Sequence, residues 1–162
     1  MITADHGEGL GEHGHYTHSR YLYQGDVGIP LLFYDAPGVA YQNLDYPWQP
    51  DIGTTILARL GLPMPTSWQG RSLLDEQDNR FTFHSTQRNP TSHAVIYETG
   101  SKLYKYLVQL PPWGKENVLP AQESLFELTG DSHEQYSIMN AADPALVTLL
   151  KEEMNAEFSL GR

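Results

Sequence analysis

The residues best suited to metal binding or catalysis lie close together near the start of the sequence. Four of the seven histidines fall within residues 2–18, together with Asp5, and four glycines are spread through the same run. Carboxylate and imidazole groups are ordinary ligands of divalent cations. Glycine lets the backbone turn tightly because it reaches positive φ without steric cost. Asp5 and His6, followed by Gly7, therefore form the best candidate ligand pair.

A structural role is the competing interpretation of these residues. Asp5 can cap a turn by accepting a backbone N–H, and His6 can be a buried histidine with satisfied hydrogen bonds. By residue type alone, His18 is interpreted as a surface-loop histidine. Glu8 either orients a ligand or caps a helix, and the cap is the preferred interpretation. His13 and His15 are interpreted as loop structure or as supports of the ligands, and not as ligands themselves.

Composition limits the classes of partner. The chain has 162 residues, and 40% of them are hydrophobic, which suffices for an ordinary domain with a core. Ten Lys and Arg against twenty Asp and Glu give a formal charge of −10, which argues against a nucleic-acid partner. The absence of cysteine excludes disulfides, thiolate metal sites and a cysteine nucleophile. No long apolar run and no basic leader are present, so we expect neither a transmembrane helix nor a signal peptide in this polypeptide.

The first half of the chain predicts strands and one helix. Residues 1–4 look like the end of a strand that leads into the polar loop, and the apolar run 27–34 predicts a strand buried on both faces. Residues 51–61 predict a helix that is capped by Asp51 and ended by Gly61 in the left-handed conformation. Its apolar face, expected to pack on a sheet, consists of Ile52, Ile56, Leu57 and Leu60.

The second half predicts a small antiparallel sheet and a terminal helix. Four runs rich in aromatic and β-branched residues are separated by turn residues, and these runs are 81–84, 94–97, 102–108 and 124–128. The helix is predicted from Pro144 to about Phe158, with Asp143 as its cap. The charged stretch between the halves suggests a domain boundary, with residues 1–75 on one side and 76–162 on the other.

The order of these motifs resembles the carboxyl-terminal portion of sulfatases, in the alkaline phosphatase superfamily. The resemblance rests on four matches. The first two are Thr3-Ala4-Asp5-His6-Gly7-Glu8 with Leu10-Gly11-Glu12-His13-Gly14, and Val27-Gly28-Ile29-Pro30-Leu31-Leu32 with Pro37-Gly38. The other two are Asp51-Ile52 with Thr55-Ile56-Leu57 and Leu60-Gly61, and Gly70-Arg71-Ser72-Leu73-Leu74. A looser match joins Ser124-Leu125-Phe126-Glu127-Leu128 to the final helix. These segments follow the family's order along nearly the whole chain, with residues 85–101 excepted.

The resemblance implies an α/β fold, in which the end of an alkaline-phosphatase-like sandwich precedes a small antiparallel sheet with a C-terminal helix. It implies that the parent protein is a metal-dependent sulfuric ester hydrolase, with Asp5 and His6 as metal ligands. His18 lies where the family carries a Lys or His that contacts the substrate or protonates the leaving oxygen. A phosphodiesterase, a phosphoethanolamine-type transferase or a non-catalytic folded module is the alternative.

The resemblance also implies what lies outside this sequence. The family's Cys/Ser-x-Pro/Ala-x-Arg nucleophile motif and its other carboxylate ligands precede the matched region, so we expect an incomplete metal site and an inactive isolated chain. The cation is Ca²⁺, Mn²⁺ or Zn²⁺, and the imidazole of His6, where sulfatases often have Asn, suits calcium poorly. The implied substrate is a small-molecule or glycan sulfate ester, and the implied location is extracytoplasmic. The oligomeric state is not indicated.

Overall fold

The fold is mixed α/β with two antiparallel sheets, which confirms the predicted fold class. The computed structural model describes residues 1–41, 46–75, 79–89, 91–115 and 119–159. They form two compact units, of which the first comprises Met1–Thr3 with Leu31–Asp78 and the second comprises Ala4–Pro30 with Asn79–Arg162. The division into domains at residues 75 and 76 stays a prediction.

The first unit contains a short two-stranded ladder. Strand β1 (Ile2–Thr3) pairs antiparallel with β2 (Leu31–Leu32). The prediction of one doubly buried strand over 27–34 is wrong, because Leu32 and Tyr34 are exposed and residue 27 ends a single helical turn, α1 (Gln24–Val27). The Gly28 N–H closes that turn on the Gln24 carbonyl, and Pro30 has no N–H to donate, so the ladder starts only after the proline.

Helix α2 (Gln49–Arg59) confirms the predicted helix and begins two residues earlier than predicted. Asp51 is not the cap itself: it lies in the first turn, and its carboxylate accepts the backbone N–H of Trp48 at 2.7 Å. Gly61 follows the helix with a φ of 64°, the left-handed conformation that was predicted to end it.

The face that α2 buries is polar, contrary to the prediction. Asp51, Thr54 and Thr55 are buried, whereas Ile56 and Leu60 are exposed. The reason is the segment after the helix: the Thr55 hydroxyl accepts the N–H of Leu73 at 2.9 Å, and the second oxygen of Asp51 accepts the N–H of Arg71 at 2.8 Å. The polar face thus anchors the Gly70–Leu74 motif.

The second unit is built on a four-stranded antiparallel sheet, as predicted. Its strands are β3 (Arg80–Thr86), β4 (Ser92–Thr99), β5 (Lys102–Gln109) and β6 (Gln122–Glu127), and they lie in sequence order. Helix α3 (Pro144–Phe158) also confirms its prediction, and the Asp143 carboxylate accepts the N–H of Ala145 at 2.9 Å, as expected of a cap.

Both faces of this sheet are covered, because side chains alternate along each strand. Leu150 and Met154 of α3 pack on one face, against Val95, Tyr106, Val108 and Leu125. The opposite face carries Ala94, Leu103, Leu107 and Phe126 and is covered by Leu22, Tyr23 and Val27. The segment that leaves the histidine-rich loop is therefore anchored on the sheet by its own apolar residues.

None of the helices in the described ranges combines the length and apolar character that a bilayer crossing requires.

Candidate functional site

The turn after Asp5 is closed against α1. The Gly7 N–H donates to the carbonyl of Asp26 at 2.8 Å. A Cβ added to Gly7 would overlap the carbonyl oxygen of Gly25, so only glycine fits here. This contact fixes where the Asp5–His6 pair leaves the loop.

The two predicted ligands face one another in a way that suits shared metal binding. Nδ1 of His6 lies 2.7 Å from the carbonyl oxygen of Gly7, and since a carbonyl can only accept, Nδ1 carries the proton. Nε2 is then the ring nitrogen with a lone pair, and it lies 3.7 Å from Oδ2 of Asp5. Metal-binding histidines are commonly oriented by such a hydrogen bond from the other ring nitrogen.

The electrostatics of the pair follow from these contacts. The Gly7 carbonyl, and then the Asp5 carboxylate, raise the pKa of His6. The pKa of Asp5 is lowered first by its own backbone N–H and then by His6. The Asp5 side chain is 88% exposed, so water screens these interactions strongly.

One oxygen and one nitrogen donor suit a divalent cation in kind but not in number. A closed site needs about four ligands or more. Across the described part of the chain, no group of three or more His, Asp or Glu side chains is placed to hold a metal ion. The described residues of this chain can thus supply two ligands of a metal site, Asp5 and His6, and not a complete set.

His18, the residue that the resemblance implies as catalytic, lies beside the pair. Its ring stacks on that of His6 with 4.1 Å between centroids, and its Nδ1 lies 2.9 Å from Oε2 of Glu8. The interpretation of Glu8 as a helix cap is wrong, because its carboxylate pairs with His18. The backbone after His18 is fixed by the Thr86 hydroxyl, which donates to the Ser19 carbonyl at 2.7 Å.

The other two histidines of the loop pack on tyrosines. His13 stacks on Tyr23 with 3.8 Å between ring centroids, and His15 stacks on Tyr21 at 3.5 Å. Burial lowers the pKa of His15 and so favours its neutral form. These stacks hold His13 and His15 against the tyrosines of the segment that follows them in the chain.

Asp26 is a buried carboxyl that sequence reasoning did not single out. Its side chain is 7% exposed, and its Oδ1 has no hydrogen-bond partner among the described residues. Burial raises its pKa, and the nearby carboxylate of Glu8 adds to that shift. Asp26 lines a pocket of about 540 Å³ that His6 also lines. Its position next to the apolar run 27–34 was the one signal available, and it is a weak one.

A fully buried ion pair joins Glu134, in the segment after β6, to the sheet. Nζ of Lys105, on β5, lies 2.7 Å from Oε1 of Glu134, and both side chains have 0% exposure. The other oxygen of Glu134 accepts the Gln24 N–H at the start of α1, at 2.6 Å. Glu134 holds this position with a φ of 55°, a strained value for a residue with a side chain.

No family model matches this chain. Over 130 residues it is 31% identical to a Caenorhabditis elegans protein named as a homolog of the extracellular sulfatase Sulf-1, and the match covers 74% of this chain. The chain spans only 18% of the length of that relative. In sequence, the chain is thus similar to a sulfatase homolog along most of its length.

Proposed function

We propose that this chain is part of a metal-dependent sulfuric ester hydrolase and supplies two ligands, Asp5 and His6, to the metal of its active site. The observation that carries the proposal is the hydrogen bond from His6 Nδ1 to Gly7, which leaves Nε2 facing the Asp5 carboxylate. The similarity to a sulfatase homolog supports the same chemistry. The name of that relative also supports an extracellular location and a sulfate ester substrate.

Each residue has a defined task in this proposal. A divalent cation, when bound, polarises the oxygens of the ester and stabilises the developing charge. Asp5 contributes an oxygen ligand and His6 a nitrogen ligand, while Gly7 holds the imidazole in the ligating tautomer. His18 protonates the leaving oxygen through Nε2, and Glu8 orients the His18 ring by its contact with Nδ1. The nucleophile and the remaining ligands belong to other parts of the protein.

A phosphodiesterase or a phosphoethanolamine-type transferase is the second candidate function. The nitrogen donor of His6 favours it, because imidazole suits Zn²⁺ and Mn²⁺ better than Ca²⁺. The two candidates share the same residue roles and differ in the group that is transferred.

The full-length protein that contains this chain separates the candidates. Release of nitrophenol is measured from nitrophenyl sulfate and from bis(nitrophenyl) phosphate, with Ca²⁺, Mn²⁺ or Zn²⁺ added in turn. Faster turnover of the sulfate supports the proposal, and faster turnover of the phosphate supports the second candidate. Turnover of neither substrate with any cation would leave a non-catalytic module.

Metal binding to the 162-residue chain alone is expected to be weak or absent. Two ligands give too little binding free energy to replace the hydration shell of the ion, since structural sites need four. Titration calorimetry with Zn²⁺, Mn²⁺ and Ca²⁺ checks this. Tight stoichiometric binding that disappears in Asp5→Ala would mean that the chain holds a complete site and would contradict the proposed division of ligands.

Replacement of His18 by alanine in the full-length protein is expected to lower turnover by about 10² to 10⁴-fold, the usual range for a general acid. The loss should be smallest for esters of acidic phenols, which leave without a proton. The rates for a series of aryl sulfates of rising phenol pKa give the measurement. His133→Ala, at another exposed histidine, is the matched control. Equal losses across the series would reject the acid role.

A further inference from the structure

The pocket beside His6 has a lining that the proposed roles do not use. Besides His6 and Asp26 it is lined by polar residues at the end of β3 and just beyond it, which are Ser85, Thr86, Gln87 and Arg88. Its volume of about 540 Å³ lies within the range of small-molecule pockets, roughly 300 to 1,000 Å³, and exceeds what one sulfuryl group requires. The lining therefore has room for a further part of the substrate.

The pocket is lined by one cationic side chain, Arg88, and one acidic side chain, Asp26. Arg88 is exposed, and no carboxylate in the described ranges pairs with its guanidinium. Asp26 is buried and carries an unpartnered carboxyl oxygen. The pocket thus combines an exposed cationic group with a buried hydrogen-bond acceptor. The guanidinium attracts an anion, and an ionised Asp26 repels one. A hydroxyl group can instead donate a hydrogen bond to the free carboxyl oxygen of Asp26.

Arg88 itself is held by backbone contacts that leave its side chain available. Its N–H lies 3.4 Å from the Thr86 hydroxyl, and its carbonyl accepts the Thr91 hydroxyl at 3.2 Å. The Thr86 hydroxyl donates to Ser19 of the histidine-rich loop. The turn that presents Arg88 is thus tied to the loop that presents His6 and His18.

We infer that Arg88 binds a second anionic group of the substrate, a carboxylate or sulfate carried by the alcohol part of the ester. The inference rests on the proposed function, because the scissile sulfuryl group is taken to lie at Asp5 and His6. The guanidinium forms two parallel hydrogen bonds to such a group, and Asp26 receives a hydroxyl of the same ligand. Arg88 is then a specificity-determining residue that favours doubly charged esters over singly charged ones.

Binding of stable sulfonates to the full-length protein tests this without turnover. Calorimetry compares sulfosalicylate, which carries a sulfonate and a carboxylate, with hydroxybenzenesulfonate, which lacks the carboxylate. Arg88→Gln is expected to weaken binding of sulfosalicylate by about 10 to 100-fold, the range for hydrogen bonds between charged groups. Hydroxybenzenesulfonate should bind within about twofold of the unmodified protein. Arg88→Lys keeps the positive charge but cannot form two parallel hydrogen bonds to a carboxylate. It should therefore retain only part of the preference for sulfosalicylate over hydroxybenzenesulfonate.

Arg71→Gln, the same change at another exposed arginine, is the control and is expected to alter neither affinity. Unchanged binding of both sulfonates to Arg88→Gln would overturn the inference, and so would equal weakening of both. Failure of the proposed function has a different signature. Absence of sulfate ester hydrolysis together with a sulfosalicylate preference that requires Arg88 would reject the hydrolase and keep the binding site.

Discussion

Replacement of Asp5 by alanine in the full-length protein is expected to lower kcat/KM for an aryl sulfate by about 10³-fold or more. On the proposed function the change removes a metal ligand, and a bound cation supplies several kcal/mol of charge stabilisation, with about 1.4 kcal/mol for each factor of ten. His6→Ala is expected to cause a loss of the same order, because it removes the other donor of the pair. The rate of nitrophenol release measures both.

Metal content and stability show whether the loss has the proposed cause. Mass spectrometry of the purified protein should find less bound metal in Asp5→Ala and His6→Ala. After the metal is removed with a chelator, the unfolding temperatures of the variants should match that of the unmodified protein, because the Asp5 side chain is 88% exposed. Asp75→Ala, at another exposed aspartate, is the matched control. An Asp5→Ala protein that keeps both metal and activity would identify Asp5 as a turn cap instead.

Loss of one partner of the buried ion pair is expected to cost about 3 to 5 kcal/mol of unfolding free energy. In Lys105→Met the Glu134 carboxylate stays buried at the start of α1 without its cation, and in Glu134→Leu the ammonium is left alone on β5. Burial lowers the pKa of Lys105, because the surroundings of its ammonium disfavour the charged form. Urea unfolding of the chain, followed by circular dichroism, measures the loss.

The combination Lys105→Met with Glu134→Leu should recover part of that stability, since two apolar side chains of similar size leave no buried charge. The recovery is incomplete because the Gln24 N–H loses its acceptor. Lys102→Met provides the matched control on the same strand. Its ammonium pairs with Glu127 at 2.6 Å but is 49% exposed, so water screens the pair and its loss should cost far less stability than the loss of Lys105. Equal losses in Lys105→Met and Lys102→Met would show that burial does not govern the strength of the Lys105 pair.

The elements predicted well from sequence are those whose pattern is local. Runs of aromatic and β-branched residues between turns predict the antiparallel strands. The cap at Asp143, the proline in the first turn and the spacing of apolar residues predict α3. The prediction of one strand over the apolar run 27–34 was wrong because the conformation of this run depends on distant contacts. Val27 belongs to α1 and packs on the sheet, and only Leu31 and Leu32 form a strand.

The candidate site divides in the same way. Asp5 and His6 are neighbours in sequence and were found from residue type and resemblance, and their roles, like that of His18, stay predictions. Asp26 and Glu134 were missed, because burial gives each its importance and burial is decided by segments far away in the chain. Arg88 was missed because residues 85–101 did not match the family pattern and one exposed arginine carries no signal of its own.

In the second unit, the loop with the candidate site is joined by hydrogen bonds to residues far away in the chain, and this affects the order in which the unit folds. The sheet is a meander of neighbouring strands, so its hairpins can form from local contacts early in folding. The loop with Asp5, His6 and His18 is different: Gln24 bonds to Glu134 across 110 residues, and His13 bonds to the carbonyl of His133 across 120. Closing such long loops costs entropy that only the finished sheet can offset. The candidate active site should therefore be the last part of the unit to form, and refolding should restore the sheet before it restores ligand binding.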